Sequence, residues 1–244
     1  MHELIRQKVI IKYAKGIFMK QPIFLFAAIA VVCLVSGDMS QSIAAESAQA
    51  DSAANFFVSS SGSKTANLGG LRGADKICQQ LASAVGLGNR TWHAYLSAEH
   101  DSDNGNKPTD ARSRIGTGPW TNVKGVVVAK NLDELHARKG DADVFLDEHG
   151  QRVPGNWPDS PKPTVHDILT GSTADGKVMA GKTCNDWTSA SPDQQAQVGH
   201  SDGLGPGGDP SGRYSVWNSA HDNGSCADTA PRGGGGRIYC FAVK

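Results

Sequence analysis

The chain has no excess of either charge: 24 Lys and Arg stand against 24 Asp and Glu over 244 residues. A nucleic-acid binder needs surplus cations facing phosphate, so that class is excluded. Long hydrophobic runs are missing too. The longest is thirteen residues, too short for a ~20-residue membrane span, and it excludes a multi-span membrane protein. The glycines keep no three-residue period, which excludes a collagen-like rod. There is no CxxC pair, no zinc-knuckle spacing of cysteines, no internal repeat and no linker that would divide the chain. Hydrophobic residues nevertheless reach 39% and charged residues only 20%, so the chain has a core to bury and is not disordered.

What is present begins with that apolar run. Residues 23–35 read IFLFAAIAVVCLV, preceded by Arg6, Lys8, Lys12, Lys15 and Lys20 and followed by small residues. A positive flank, a short apolar core and small residues predict a secretory signal over residues 1–50, with cleavage after Ala44, Ala45 or Ala50. Met19-Lys20 is a more ordinary start than Met1, which marks Met19 as the expected initiator. Cys33 follows the branched Val32 rather than a small residue, so it is read as part of the discarded segment and not as a lipid anchor. Residues 51–244 then carry 19 basic and 21 acidic side chains, a weakly acidic domain expected in the periplasm or outside the cell.

Four cysteines remain, Cys78, Cys184, Cys226 and Cys240. In an exported chain an even number reads as two disulfides, with three connectivities open. Gly and Pro together make up about a sixth of the chain, above the ~12% of average proteins, which favours turns and long loops over long helices. Ala74, Ile77, Cys78, Leu81 and Val85 recur at three- and four-residue steps and predict one amphipathic helix over 71–85, stopped by Gly86 and Gly88. Strands are expected at 56–59, 92–97, 126–129, 144–146 and 238–243, and one or two helical turns at 131–136. Residues 150–163 hold four prolines and are irregular. The stretch 199–236 holds eleven glycines. The fold class is α+β, in a single domain over 51–244.

Three motifs resemble catalytic or metal sites and fail on context. Gly199-His200-Ser201-Asp202-Gly203 fits G-x-S-x-G, but Leu204-Gly205-Pro206-Gly207-Gly208 cannot start the helix a nucleophile elbow needs. Asp101-Ser102-Asp103-Asn104-Gly105 opens like a calcium loop, yet its glycine is fifth instead of sixth and its twelfth residue is Arg112. Gly233-Gly234-Gly235-Gly236 lacks the GK[ST] that follows in a phosphate loop. His93, His100, His136, His149, His166, His200 and His221 show neither HxxxH nor HxH spacing, so no metal site is expected from them.

The segment from Asn67 to Cys78 opens the helix, and Trp92-His93-Ala94-Tyr95-Leu96-Ser97 follows. Then come Cys184-Asn185-Asp186-Trp187-Thr188-Ser189, Trp217-Asn218, Cys226 and Tyr239-Cys240-Phe241. As an ordered set these resemble the C-type lectin-like superfamily, and more closely its bacterial secreted branch related to endostatin-like domains, across residues 55–244. The resemblance implies antiparallel sheets flanked by two helices, paired termini, and a long irregular loop region that binds ligand. It also implies two disulfides, Cys78–Cys240 and Cys184–Cys226. Calcium-dependent sugar-binding members carry EPN or QPD and then WND. Here Asn156-Trp157-Pro158-Asp159 and Trp217-Asn218-Ser219 stand in comparable places, with Asp222 and Asn223 close behind. Calcium is therefore a possible cofactor, with Asp159, Asn218 and Asp222 as its candidate ligands.

The expectation for function is a non-enzymatic carbohydrate-binding lectin or adhesin-like domain. Its partner would be a glycan, a surface glycoconjugate or a protein, with no nucleic acid and no membrane span after signal removal. The candidate ligand-binding residues are Asp159, Asn185, Asp186, Trp217, Asn218 and Asp222. Trp217 and Trp187 suit either sugar stacking or core filling. Asn185 and Asp186 suit either ligand contact or bracing of their loop. Two alternatives are a secreted serine hydrolase using Ser201 with Asp209 and His221, and a structural or protein-binding envelope domain.

Overall fold

The alternating end of the chain forms strand β10 (Gly234–Ala242), the longest in this computed structural model, which describes residues 54–205 and 212–243. The leader expected over 1–50, with Met19 and Cys33, lies outside the described residues, as does Asp209.

β1 (Phe56–Val58) runs antiparallel along one side of β10, Phe57 opposite Cys240. The other side is shared. β2 (Trp92–Ala94) pairs antiparallel with the C-terminal half, and β7 (Asp167–Leu169) pairs parallel with the N-terminal half. β8 (Gln197–His200) and β9 (His221–Asp222) extend the sheet beyond β7 in antiparallel order. Two small hairpins lie apart from it: β3 (Ala98–Asp101) with β4 (Lys107–Thr109), and β5 (Trp120–Thr121) with β6 (Val127–Ala129). The fold is mixed α+β, mostly sheet with few helices.

Successive side chains of a strand point to opposite faces, and here both faces are buried. Phe57, Ile238, Cys240 and Leu169 enter one core with Trp92 and Trp187. Phe56, Val58, Tyr239, Phe241 and Ile168 enter a second core with Trp120, Phe145 and Trp217. The sheet is therefore a partition between two apolar layers.

Helix α1 (Gly70–Ala84) covers the first core with Leu71, Ala74, Cys78 and Ala82; of the predicted stripe Ala74 and Cys78 are buried, and Ile77 and Leu81 pack against the core while partly exposed. The Cys78–Cys240 disulfide joins it to β10 across 162 residues of chain, and Cys184–Cys226 closes a shorter loop of 42. The pairing implied by the resemblance is the one observed. Asp75 of α1 accepts the Ala94 backbone N–H at 2.8 Å and pairs with Arg114 at 2.7 Å, fixing the helix to β2 by polar contacts as well. Helix α2 (Leu132–Ala137) starts where Asn131 accepts the Glu134 N–H at 2.9 Å, an N-cap bond.

Residues 144–146 form no strand. They make bridge contacts only, Leu146 with Arg152 and Asp147 with Val58, because the chain turns again at 147–150. The sequence did not foretell β7, β8 or β9. Each is two to four residues long, and their order in the sheet comes from segments about twenty to seventy residues apart. Gly199 of β8 is where the Trp217–Asn218 backbone crosses: a Cβ there would meet the Trp217 carbonyl oxygen at 1.9 Å.

A cross-link over so long a loop removes much unfolded-state entropy. Replacing Cys78→Ala together with Cys240→Ala should lower unfolding stability by about 2–5 kcal/mol. Denaturant melting with and without the bond checks this, and coincident curves would refute it.

Candidate functional site

The register of β7, β8 and β9 assembles a cluster of histidine and aspartate. Leu169 faces Val198 across the strands and both enter the first core. Two residues along on the same face, Asp167 faces His200. His221 of β9 lies opposite Val198, diagonal to His200. The sheet face that carries Leu169 and Val198 into the core thus carries Asp167 and His200 towards a cleft of about 630 Å³. His166, His200 and His221 line that cleft with Tyr214, Arg213, Arg232, Asn156 and Asp222.

The Asp167 carboxylate is the centre of the cluster. Nε2 of His200 lies 3.1 Å from its Oδ1, Nε2 of His166 3.4 Å from the same oxygen, and Nε2 of His221 3.4 Å from Oδ2. These are ion-pair distances, yet neither buried oxygen accepts a hydrogen bond of acceptable geometry. The rings are packed: His166 stacks on His200 at 4.3 Å, Tyr214 stacks on His200 at 5.4 Å, and His221 meets His200 edge-on at 5.0 Å.

Electrostatics favour charge separation inside the cluster. Burial works against ionising Asp167, but its contacts with His200 and His221 hold its carboxyl below the usual range. Burial likewise opposes a charged His221, and the contact with Asp167 outweighs it, so His221 sits above the ordinary imidazole value. Asp202 is depressed against its own burial by His166, whose Nδ1 lies 2.7 Å away, and by the N–H groups of Asn156 and Leu204. Asp202 thereby ties the 154–160 loop to the cluster.

Among the described residues, two groups of such donors lie close enough to share one ion: His166, His200 and Asp202, and Asp167, His200 and His221. Histidine spacing in the sequence gave no expectation of such a grouping. Spacing templates report ligands on one helix or one turn, whereas these come from three strands and a following loop. The local signals were His–Asp neighbours in the chain: His166 beside Asp167, His200 two before Asp202, and His221 beside Asp222.

The six residues expected to bind ligand do not come together. Asp222 alone lines the cleft, accepting from Arg232 at 2.5 Å and from the Gly224 N–H at 3.0 Å. Asp159 sits on an exposed turn outside the cleft lining. Trp217 is fully buried against Tyr95, Tyr239 and Phe145, with its Nε1–H given to the Leu135 carbonyl at 2.8 Å. Its core role excludes the sugar-stacking one. Asn218 is also buried, donating to the Tyr95 hydroxyl at 2.9 Å, and is unavailable to an incoming ligand. Of the candidate calcium ligands Asp159, Asn218 and Asp222, one is exposed, one buried and one already ion-paired.

Asn185 and Asp186 line a separate cavity of about 340 Å³ with Arg72, His100 and Asp103. They belong to the short turn α3 (Cys184–Trp187), whose four residues all have left-handed φ, between 48° and 65°. Left-handed helical backbone costs about 1–2 kcal/mol per residue, so something must hold it. The holders are the Cys184–Cys226 bond, the Trp187 Nε1–H donated to the Ser97 carbonyl at 2.8 Å, and the Asp186 carboxylate. Asp186 accepts the backbone N–H groups of Glu99 at 2.5 Å and His100 at 3.2 Å, so it braces the loop.

Ser201 is buried, and among the described residues its Oγ bonds only the His166 carbonyl, at 3.3 Å. Among the described residues no base hydrogen-bonds to that hydroxyl, and Asp209 of the hydrolase alternative lies outside them. No family model and no curated protein matches the chain.

Trp217→Ala should destabilise the fold by about 3–5 kcal/mol, the cost of an emptied aromatic site. A melting transition like that of the unsubstituted protein would instead place the ring outside the core. Asp186→Ala should cost about 2–3 kcal/mol by leaving two backbone donors without their carboxylate, read from the same unfolding curves.

Proposed function

We propose that this is an exported, non-enzymatic binding domain of C-type lectin-like fold whose cleft takes a carbohydrate or a surface glycoconjugate. The observation that carries the reading is the composition of the cleft. A half-exposed aromatic ring, Tyr214, stands among planar polar side chains: Asn156, Asp222, Arg213 and Arg232. Aromatic rings pack against the apolar face of a pyranose, and planar amide, carboxylate and guanidinium groups bind its hydroxyls in pairs. The guanidinium of Arg213 lies 4.5 Å from the Tyr214 ring centre, so a ligand entering there meets both an aromatic surface and a cation.

The fold assignment is supported by the paired terminal strands, by the bond between the first long helix and the last strand, and by the second bond at the loop region. Export to the periplasm or beyond is supported by the two disulfides and by the signal-like leader sequence. Among the described residues no helix is long and apolar enough to cross a membrane.

Glycan-array binding of the purified protein, run in parallel with calcium and with EDTA, tests the reading. Saturable binding is expected, and Tyr214→Ala should weaken it at least about tenfold, equivalent to about 1.4 kcal/mol. Failure to bind any glycan would overturn the lectin reading in favour of a protein partner.

A further inference from the structure

We infer that Asp167, His200 and His221 hold a zinc-class divalent cation at the floor of the cleft. The argument rests on where protons must be. Nδ1 of His200 lies 2.8 Å from the Leu204 carbonyl oxygen, and Nδ1 of His221 lies 2.7 Å from the Asp222 carbonyl oxygen. A carbonyl can only accept, so each Nδ1 carries a hydrogen, and a ring that holds no second proton presents a bare lone pair at Nε2. The two Nε2 atoms face one another at 2.9 Å. Beside them lies the Asp167 carboxylate, with its side chain 1% exposed and neither oxygen hydrogen-bonded. Two Nε2 atoms and a buried carboxylate converging on one point repel unless a cation, a metal ion or a proton, sits among them.

The distances fit that cation. Donors around a tetrahedral ion with bonds of about 2.0–2.1 Å are separated by about 3.3 Å. The two Nε2 atoms are 2.9 Å apart, His200 Nε2 lies 3.1 Å from Oδ1 of Asp167 and His221 Nε2 lies 3.4 Å from Oδ2, so the carboxylate would offer one or both oxygens. Metal-bound histidines ordinarily give their other ring N–H to a carbonyl or carboxylate, which fixes tautomer and ring orientation. His200 and His221 do so to carbonyls, and His166, whose Nε2 approaches the same Asp167 oxygen, does so to Asp202.

The donor chemistry selects the ion. Two imidazoles with one carboxylate suit zinc and its transition-metal neighbours, while calcium wants six to eight oxygens. Three protein donors leave coordination room on the side where His200 and His221 line the cleft, so the ion would meet whatever ligand enters there. The inference does not depend on that ligand being a glycan.

The test is zinc titration of the purified protein after EDTA stripping, followed by calorimetry and metal analysis. One equivalent should bind and raise the melting temperature, and cobalt in its place should give the visible absorption of a four-coordinate site. His221→Ala and Asp167→Asn should each weaken zinc binding at least a hundredfold, while His149→Ala, remote from the cluster, leaves it unchanged. Nitrogen-15 shifts of the imidazoles in the unsubstituted protein report ligation at Nε2 even if a variant fails to fold. Uptake well below one equivalent by folded protein would overturn the site and leave a proton shared between His200 and His221 in its place. Zinc binding that survives both substitutions would also overturn it. Because the readout is the metal alone, failure here is distinguishable from failure to bind glycans.

Discussion

Strand β10 is the constraint on which the rest of the structure depends. It is paired along both sides, by β1 on one and by β2 and β7 on the other, and it is bonded through Cys240 to α1. Its alternation sends Ile238 and Cys240 into one core and Tyr239 and Phe241 into another. A slip of one residue would exchange the two sets, so the register is held by packing on both faces at once. The disulfide reinforces it, since Cys78 reaches Cys240 only when Cys240 faces the helix.

The histidine–aspartate cluster inherits its geometry from that register. β7 is set beside β10, β8 is paired to β7 and β9 to β8, and each step fixes which side chains share a face. Asp167 and His200 meet because Leu169 and Val198 do, two residues deeper in the same sheet. The buried acid at the sheet's end is kept charged by its imidazole neighbours against the cost of burial.

The irregular regions are held by polar bonds more than by apolar burial. Asp202 anchors the 154–160 loop, and Asp186 with the Cys184–Cys226 bond holds a left-handed turn that the backbone alone would abandon. Both carboxylates accept backbone N–H groups of segments distant in sequence, so each loop is positioned by the rest of the fold. Asp202 in this way fixes the loop that brings Asn156 to the cleft, while the Asp186 turn lines a separate cavity.

The amino-acid sequence by itself determined the mixed α+β class, helix α1, the terminal strands, and the presence of two disulfides. Each of these rests on local periodicity or on residue count: a 3.6-residue stripe, a two-residue alternation, four cysteines. It left Trp217 and Asp186 poised between two roles, and the structure resolved them as core and brace, because burial and backbone partners depend on segments far away. Only tertiary structure decided the histidine–aspartate cluster. His166, Asp167, His200 and His221 lie up to 55 positions apart along the chain, and no short-range pattern encodes their meeting. They come together through strand pairings of two to four residues, which are too short to show a period and gain their stability from neighbours that the chain reaches only once folded.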